Sequence, residues 1–396
     1  EIRPRDWSSD VCSSDLYFSP VQVGFGIGFA PAVVVTVIYA LPPAVRLTNL
    51  GLRNVPVVAN EVGQSFGATS WQQLVKVQLP IARKAILLGF TLAALAVACF
   101  SPVRVRHDAR FWGHVFDVGH IPLWAWLAAV LHYVLPERGP AASRRKFMAF
   151  ALAVGIGASV ELLQPYFGRS RSLGDVVSDA IGAGLALTGI AAWQRSGNWL
   201  WRGGHLLAVA ASLGIALWPA YEEWRGIRWR QTHFPSLGNF EDEAELKLWS
   251  PQGGSRAQPT LITLTKSRAS QGEQSLRVMG GAGDWAGVSY AAGGKDWTAF
   301  RALALDVFNP HEPLTLFVRV DDDGEPAKGS GRYERGFELA HGWNHLRVPL
   351  AELEAGTKSR RLNLKAVRRV AIFSGDGEPS RLWFLDYVHL ERSTAD

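Results

Sequence analysis

The stretch Glu161-Leu-Leu-Gln164-Pro-Tyr-Phe-Gly168-Arg169-Ser-Arg-Ser172-Leu-Gly-Asp175-Val-Val-Ser-Asp179-Ala-Ile-Gly182 closes one apolar run and opens the next. The flanking runs, near 147–164 and 176–193, each approach the length that crosses a hydrocarbon layer. The loop between them is short, so the two helices should be antiparallel neighbours. Glu161 and Gln164 share a helix face at the end of the first run, and Asp175 and Asp179 share one at the start of the second, with Gly182 completing it. The hairpin therefore gathers three carboxylates, an amide, Ser172 and Arg169 or Arg171 at one edge of a bilayer. Ionisable groups at that depth are costly and are usually functional or paired. Such a cluster suits a polar headgroup, a cation, a sugar phosphate or a proton relay. A structural role is also open: Asp175 and Asp179 favour a helix N-terminus, and Glu161 with Arg169 would let a marginal helix insert.

Outward from this hairpin, further apolar runs lie near 21–42, 85–103, 119–135 and 204–220. Gly155-Ile-Gly157 and Gly182-Ala-Gly184 would let neighbouring helices approach closely. After Tyr221 the pattern changes. A linker over 221–234 leads into alternating runs such as Ser275-Leu-Arg-Val278, Ala302 to Phe308, Leu314 to Val320 and Val370 to Phe373, separated by Gly280-Gly281, Asp321 to Gly324 and Gly375 to Gly377. Period-two strands at this spacing predict a sandwich over 235–396. The fold class is thus multidomain: an α-helical integral membrane bundle followed by an all-β jelly-roll sandwich.

Charge supports the division. Of 396 residues only 19% are charged, and the net charge is +6. Up to Arg230 there are 21 Lys and Arg against 13 Asp and Glu, and beyond it 20 against 22. The basic excess therefore sits between apolar runs, as in a membrane protein, and no nucleic-acid partner is expected. From residue 83 the basic residues divide eight to each side, so charge does not set the orientation. Cys12 and Cys99 alone exclude a disulfide scaffold and a Cys-based zinc site. No HExxH, GxSxG or phosphate-cradling Gly loop occurs, so neither a named hydrolase nor an NTPase is supported, and a soluble single-domain enzyme is excluded.

The 161–182 stretch resembles the signature of the VanZ-like family, named for a protein associated with teicoplanin resistance. The resemblance extends over about 85–220. The family's earlier Asp and His cluster is matched more weakly by Asp117 and His120, since the spacing is three and the family's Lys is missing.

A different family appears upstream. Glu61-Val-Gly, Gly67, Val77-x-Leu79-Pro80, with Gly24-Phe-Gly-Ile-Gly28, Val37 to Pro43 and Arg46 to Leu50, resembles the permease subunit of glycine betaine/proline ABC importers. There the segment holding Glu61, Gly67, Leu79 and Pro80 would be the coupling loop, a helix pair that docks on an ATPase subunit. Val62 and Gly63 stand where that family has Ala-Ala. From the residues alone, Glu61 opens a short amphipathic stretch and Pro80 stops it. The resemblance ends near 82–84. Residues 1–16 carry no signal-peptide core and resemble a translated sequencing adapter over Asp6 to Leu16. A contig chimera, with 17–84 foreign to the rest, is the simplest account; a natural fusion is the alternative.

Phe240-Glu241, Asp296-Trp297, Leu303 to Asn309, Gly342-Trp-Asn344 and Phe384 to Val388 resemble galactose-binding-like jelly rolls, a fold common among carbohydrate-binding modules. That resemblance implies a structural Ca²⁺ at Glu241 and Asp386, with ordinary strand-end carboxylates as the alternative. Trp249, Trp285, Trp297 and Trp343 are candidates for stacking on sugar rings or for core packing. Asp321-Asp322-Asp323-Gly324 reads as a solvated turn or a metal loop, and no paired catalytic carboxylates point to a glycosidase.

The combined expectation is a VanZ-like multi-pass protein of the cytoplasmic membrane that binds an envelope sugar, glycolipid or lipid-linked component. Counting spans places the 165–175 loop and the C-terminal domain on one face, outside the cell. The alternatives are a betaine-type permease partnered by an ATPase and a substrate-binding protein, a membrane enzyme acting on an envelope precursor, and a purely structural anchor.

Overall fold

A computed structural model describes residues 42, 45–100, 108–136, 142–167, 171–194, 199–255, 257–283, 285–311, 314–324, 331–356, 360–375 and 381–392. The adapter-like segment, the run near 21–42 apart from Pro42, and Arg169 lie outside them. The chain divides into two compact units, Glu1–Arg104 with Phe116–Ala216, and Val105–Val115 with Leu217–Asp396.

The first unit is helical. After α1 (Val57–Ser65) and a turn at Ser70–Gln72 come α2 (Leu79–Phe100), α3 (Ala109–Val134), α4 (Ala142–Leu163), α5 (Leu173–Gln194) and α6 (Trp199–His233), of which α3 and α6 also supply residues to the second unit. Five helical stretches are long and apolar enough to cross a membrane, at Ser70–Cys99, Ala109–Val134, Ser143–Tyr166, Leu173–Gln194 and Trp199–His233. They correspond to the five expected spans after residue 85, and each begins earlier than expected. The stretch 221–234, read as a linker, is almost entirely the C-terminal part of α6. Residues 84 and 85 both lie within the uninterrupted helix α2.

The bundle core gathers Leu95, Cys99, Trp124, Leu127, Leu131, Ala149, Ala153 and Leu187. Large apolar side chains such as Phe147, Leu152, Leu162, Val177 and Ile215 stay exposed, as suits helices solvated by lipid. Two glycines set the closest approaches. A Cβ on Gly182 would stand 2.2 Å from the Ile121 carbonyl oxygen, and one on Gly157 would stand 2.3 Å from Asp179 Oδ2. Gly155 meets nothing within 4 Å and Gly184 makes only ordinary contact, so one glycine of each pair carries the packing.

The second unit is a sandwich of two antiparallel sheets. One has the order β3 (Leu261–Thr265), β4 (Ser275–Met279), β11 (Leu382–Arg392), β6 (Phe300–Asn309), β9 (Gly342–Pro349), with β1 (Ser236–Gly238) also paired to β11. The other has the order β2 (Trp249–Gln252), β5 (Gly287–Lys295), β10 (Val367–Ser374), β7 (Leu314–Asp322), β8 (Tyr333–Leu339). Alternation makes the core: Leu314, Leu316, Val318 and Val320 of β7 point inward, while Thr315, Phe317, Arg319 and Asp321 face out. Each fully buried Leu or Val stabilises the fold by roughly 1.5–3 kcal/mol before entropy is counted.

Candidate functional site

Three clusters carry the expected site residues. The first is the hairpin over 57–80. Thr69 Oγ1 accepts the Gln72 N–H and Gln72 Oε1 accepts the Thr69 N–H, a capping box that starts the second arm. Gly67, at φ +72°, makes the turn after α1. Buried Gln73 ties the arms by donating to the Asn60 carbonyl oxygen (3.0 Å) and to Asn60 Oδ1 (2.9 Å). Gly63 makes room for this tie, since a Cβ there would stand 2.2 Å from Gln73 Oε1. Glu61 is exposed, and so are Val57, Val58, Val62, Phe66 and Trp71. Pro80 does not stop the second arm. A π-helical turn over Gln73–Gln78 leads into α2, and Pro80 sits in its first turn beside Leu79. The wider turn accommodates a residue that lacks an N–H and crowds the preceding turn's carbonyl.

The second cluster lies inside the helical unit. His120 on α3 and Asp179 on α5 are buried, with His120 Nδ1 2.8 Å from Asp179 Oδ1, and His120 Nε2 lies 3.9 Å from Asp175 Oδ2. Buried Glu161 accepts the Ser172 N–H through Oε2 at 2.8 Å, and Ser172 Oγ accepts the Asp175 N–H at 3.1 Å. The 171–175 turn is thus folded onto the end of α4. Gln164 is buried in the 3₁₀ turn that follows α4. Asp117 is exposed on α3, so the carboxylate bonded to His120 is Asp179, 59 positions on. Sequence reasoning missed Trp124, which stacks on His120 at 5.3 Å and donates to the Ala153 carbonyl oxygen at 3.0 Å. One turn separates the two rings, a spacing that could have drawn notice. Paired in this way, the cluster can hold a proton between an imidazole and a carboxylate in surroundings closed by Gly157 and Trp124.

The third cluster belongs to the sandwich. Trp249 and Trp297 are fully buried and cannot stack on a sugar: Trp249 occupies an inward strand position against Phe240 and Tyr290, and Trp297 is a member of the same core. Trp285 is 40% exposed, packs edge-on to Phe373 and lies beneath the Arg319 guanidinium. Trp343 is half-buried, edge-on to Phe308. On the outer face of the second sheet, cross-strand neighbours Phe317 and Phe373 stack at 5.8 Å, and Arg319 pairs with Glu334 at 2.6 Å.

Glu241 and Asp386 do converge on one loop, but as acceptors of N–H groups. Asp386 takes the Ser270, Gln271 and Tyr387 N–H groups, and Glu241 takes those of Glu273 and Gln274. Lone pairs that face N–H donors brace a loop, and this donor set does not fit a cation as arranged. No group of three or more His, Cys, Asp or Glu suited to a metal occurs among the described residues. The Asp321–Gly324 turn is ion-paired: Asp322 binds Arg360 and the Asn363 N–H, and Asp321 binds Arg369. Burial alone would raise the Asp322 carboxyl; its bonds to Arg360, Asn363 and Gly324 outweigh this and hold it below the usual carboxylate range.

Residues 16–98 match the family described as binding-protein-dependent transport system inner membrane component. The match runs past residue 84 and through most of α2. The glycine betaine/carnitine transport permease protein GbuB of Listeria monocytogenes serotype 1/2a (strain 10403S) is 50% identical over 74 residues, 19% of this chain and 26% of that protein. The glycine betaine/proline betaine transport system permease protein ProW of Escherichia coli (strain K12) is 47% identical over 88 residues, 22% of this chain and 25% of that protein. The chain thus spans about a quarter of the length of these curated relatives. Among solved structures, the family 11 carbohydrate-binding module from Clostridium thermocellum aligns with 41% of this chain and 96% of its own, at 14% identity and TM-score 0.34. The chain therefore combines a betaine-permease-like segment, apolar helices suited to a multi-pass membrane protein, and an antiparallel β-sandwich.

Proposed function

We propose that the segment 16–98 works as the ATPase-docking part of the inner-membrane subunit of a binding-protein-dependent importer for glycine betaine-class solutes. The observation that carries this reading is the 57–80 hairpin. A tie between Asn60 and Gln73 fixes its two arms, while Val58, Val62, Phe66 and Trp71 stand exposed, an apolar patch of the kind that marks a protein contact. An ATPase subunit from such an importer should co-purify with the full chain in detergent. Phe66→Asp and Trp71→Asp should each weaken that association at least about tenfold, the effect of losing one buried aromatic anchor. Undiminished co-purification of both variants would reject the reading.

A second reading attaches to α3–α5 and is favoured by the His120–Asp179 contact: a VanZ-like membrane site that engages a polar envelope component, with the sandwich as its sugar-contacting partner domain. His120→Gln and Asp179→Asn should remove any teicoplanin protection that the intact chain confers on a host, at equal membrane levels. Protection that persists in both variants would exclude a functional role for the pair. The two readings belong to different segments, as a contig chimera or a fusion would require. A single long read that crosses codons 82–109 in genomic DNA would establish the fusion, and its consistent absence the chimera.

A further inference from the structure

Within the sandwich unit, residues at the start of α3 and near the end of α6 enclose with β5 and β10 a cleft of about 220 Å³. Arg110, Arg230, Lys247, Arg368 and Arg369 line it, against two lining carboxylates, Asp108 and Glu223. Asp108 is taken up by Arg230, whose Nη2 lies 2.8 Å from Oδ1, and Glu223 by Arg110 at 3.5 Å. Arg368 is exposed and has no carboxylate partner among the described residues. The first residues of the long helix α3 also belong to this wall, through Ala109, Arg110 and Phe111. A helix N-terminus favours anions.

An independent feature points the same way. Tyr290 lines the cleft and is 1% exposed, yet its hydroxyl has no hydrogen-bond partner among the described residues. A buried hydroxyl left unsatisfied is costly, so a ligand acceptor there would relieve it. The local backbone also bears on the site. Gly293, at φ +68°, lets the Arg230 guanidinium lie against β5, where a Cβ would stand 2.5 Å from Arg230 Cζ.

The level of the cleft along α6 selects the ligand. Trp218, Tyr221 and Trp224 are exposed on consecutive turns at the end of the apolar part of the helix, and Arg225 and Arg228 follow. An aromatic belt followed by arginines marks a membrane–water interface. Glu223, Ile227 and Arg230, the α6 residues that line the cleft, occupy this same stretch. We propose that the cleft holds the phosphate of an anionic phospholipid headgroup, bound by Arg368, the α3 N-terminus and the Tyr290 hydroxyl.

Native mass spectrometry of the full chain in detergent, titrated with phosphatidylglycerol, diacylglycerol or inorganic phosphate, tests this. Phosphatidylglycerol should bind about tenfold tighter than diacylglycerol, which lacks the phosphate, as one charge-assisted contact would give. Arg368→Gln and Tyr290→Phe, which remove an exposed charge and a single hydroxyl, should each erase most of that preference without lowering thermal stability. Arg368→Lys should restore part of it. Equal binding of the two lipids, or variants as selective as the parent, would overturn the site. Inorganic phosphate that binds as tightly as phosphatidylglycerol would overturn the headgroup as its source.

Discussion

The helical unit and the sandwich bury polar groups in opposite ways. In the helical unit, side chains from separate helices meet one another: His120 with Asp179, and both with Asp175 close by. Large apolar side chains are left on the outside. In the sandwich the apolar side chains fill the interior, and two buried carboxylates, Glu245 and Asp386, are satisfied chiefly by backbone N–H groups, four on Glu245 alone. Lipid supplies no hydrogen bonds, so polar side chains placed there must find each other. A sandwich with an apolar interior can place its carboxylates on loops, whose N–H groups the sheets leave unpaired.

The largest effect should separate core from surface within the sandwich. Trp249→Ala should destabilise it by about 3–5 kcal/mol through the cavity left against Phe240 and Tyr290. Trp285→Ala should stay within about 1 kcal/mol and is the variant to test for lost retention on polysaccharide. Unfolding followed by tryptophan fluorescence measures the first, and affinity electrophoresis the second. Similar destabilisation by both would erase the distinction between the two tryptophans.

Next comes a pH effect peculiar to the sandwich. Burial pushes the Glu245 carboxyl up to about 7, against the pull of its N–H donors. The folded state then keeps a proton that the unfolded chain releases near pH 4.5. The stabilisation is complete below that pH and is lost as pH rises through about 7, an effect of roughly 3 kcal/mol. Glu245→Gln should flatten this slope in urea titrations at several pH values. A slope that survives the substitution would locate the proton elsewhere, with Asp386, also raised by burial, the first to check.

In the helical unit the expected cost is steric. Gly157→Val and Gly182→Val should each cost about 1–3 kcal/mol, because the first drives into Asp179 and the second into the Ile121 backbone. Gly155→Val and Gly184→Val should be close to neutral. Thermal inactivation of the full chain in detergent would show whether the four positions sort in this way.

Sequence made some of this legible and hid the rest for identifiable reasons. The strands of the sandwich followed from alternation, since Leu314 to Val320 can bury one face only as a strand. Five spans followed from run length, although α6 outlasts its apolar part and absorbs the stretch read as a linker. Contacts between distant residues were not legible. Period and spacing find neighbours on one helix, whereas His120 with Asp179 depends on which helices pack. Asp117, near in sequence, is exposed, whereas Asp179, bonded to His120, lies 59 positions away. Among the tryptophans, composition offered four equal candidates, and only strand register showed that Trp249 points inward.

The smallest expected effect concerns Glu241 and Asp386. A calcium site at these residues would be removed by a chelator, and the sandwich would melt at lower temperature without the ion. If the carboxylates brace the 270–274 loop through N–H groups, EGTA should leave the melting temperature unchanged, and added Ca²⁺ should not raise it. Asp386→Asn separates the two cases further. The amide keeps one acceptor oxygen but puts an NH₂ against donors at the other position, so it should destabilise the loop equally with and without Ca²⁺. A calcium-dependent difference between Asp386→Asn and the parent would show that the loop's donors turn away to admit an ion. The sandwich would then satisfy a buried carboxylate with a cation, a solution unlike that of either unit as it now stands.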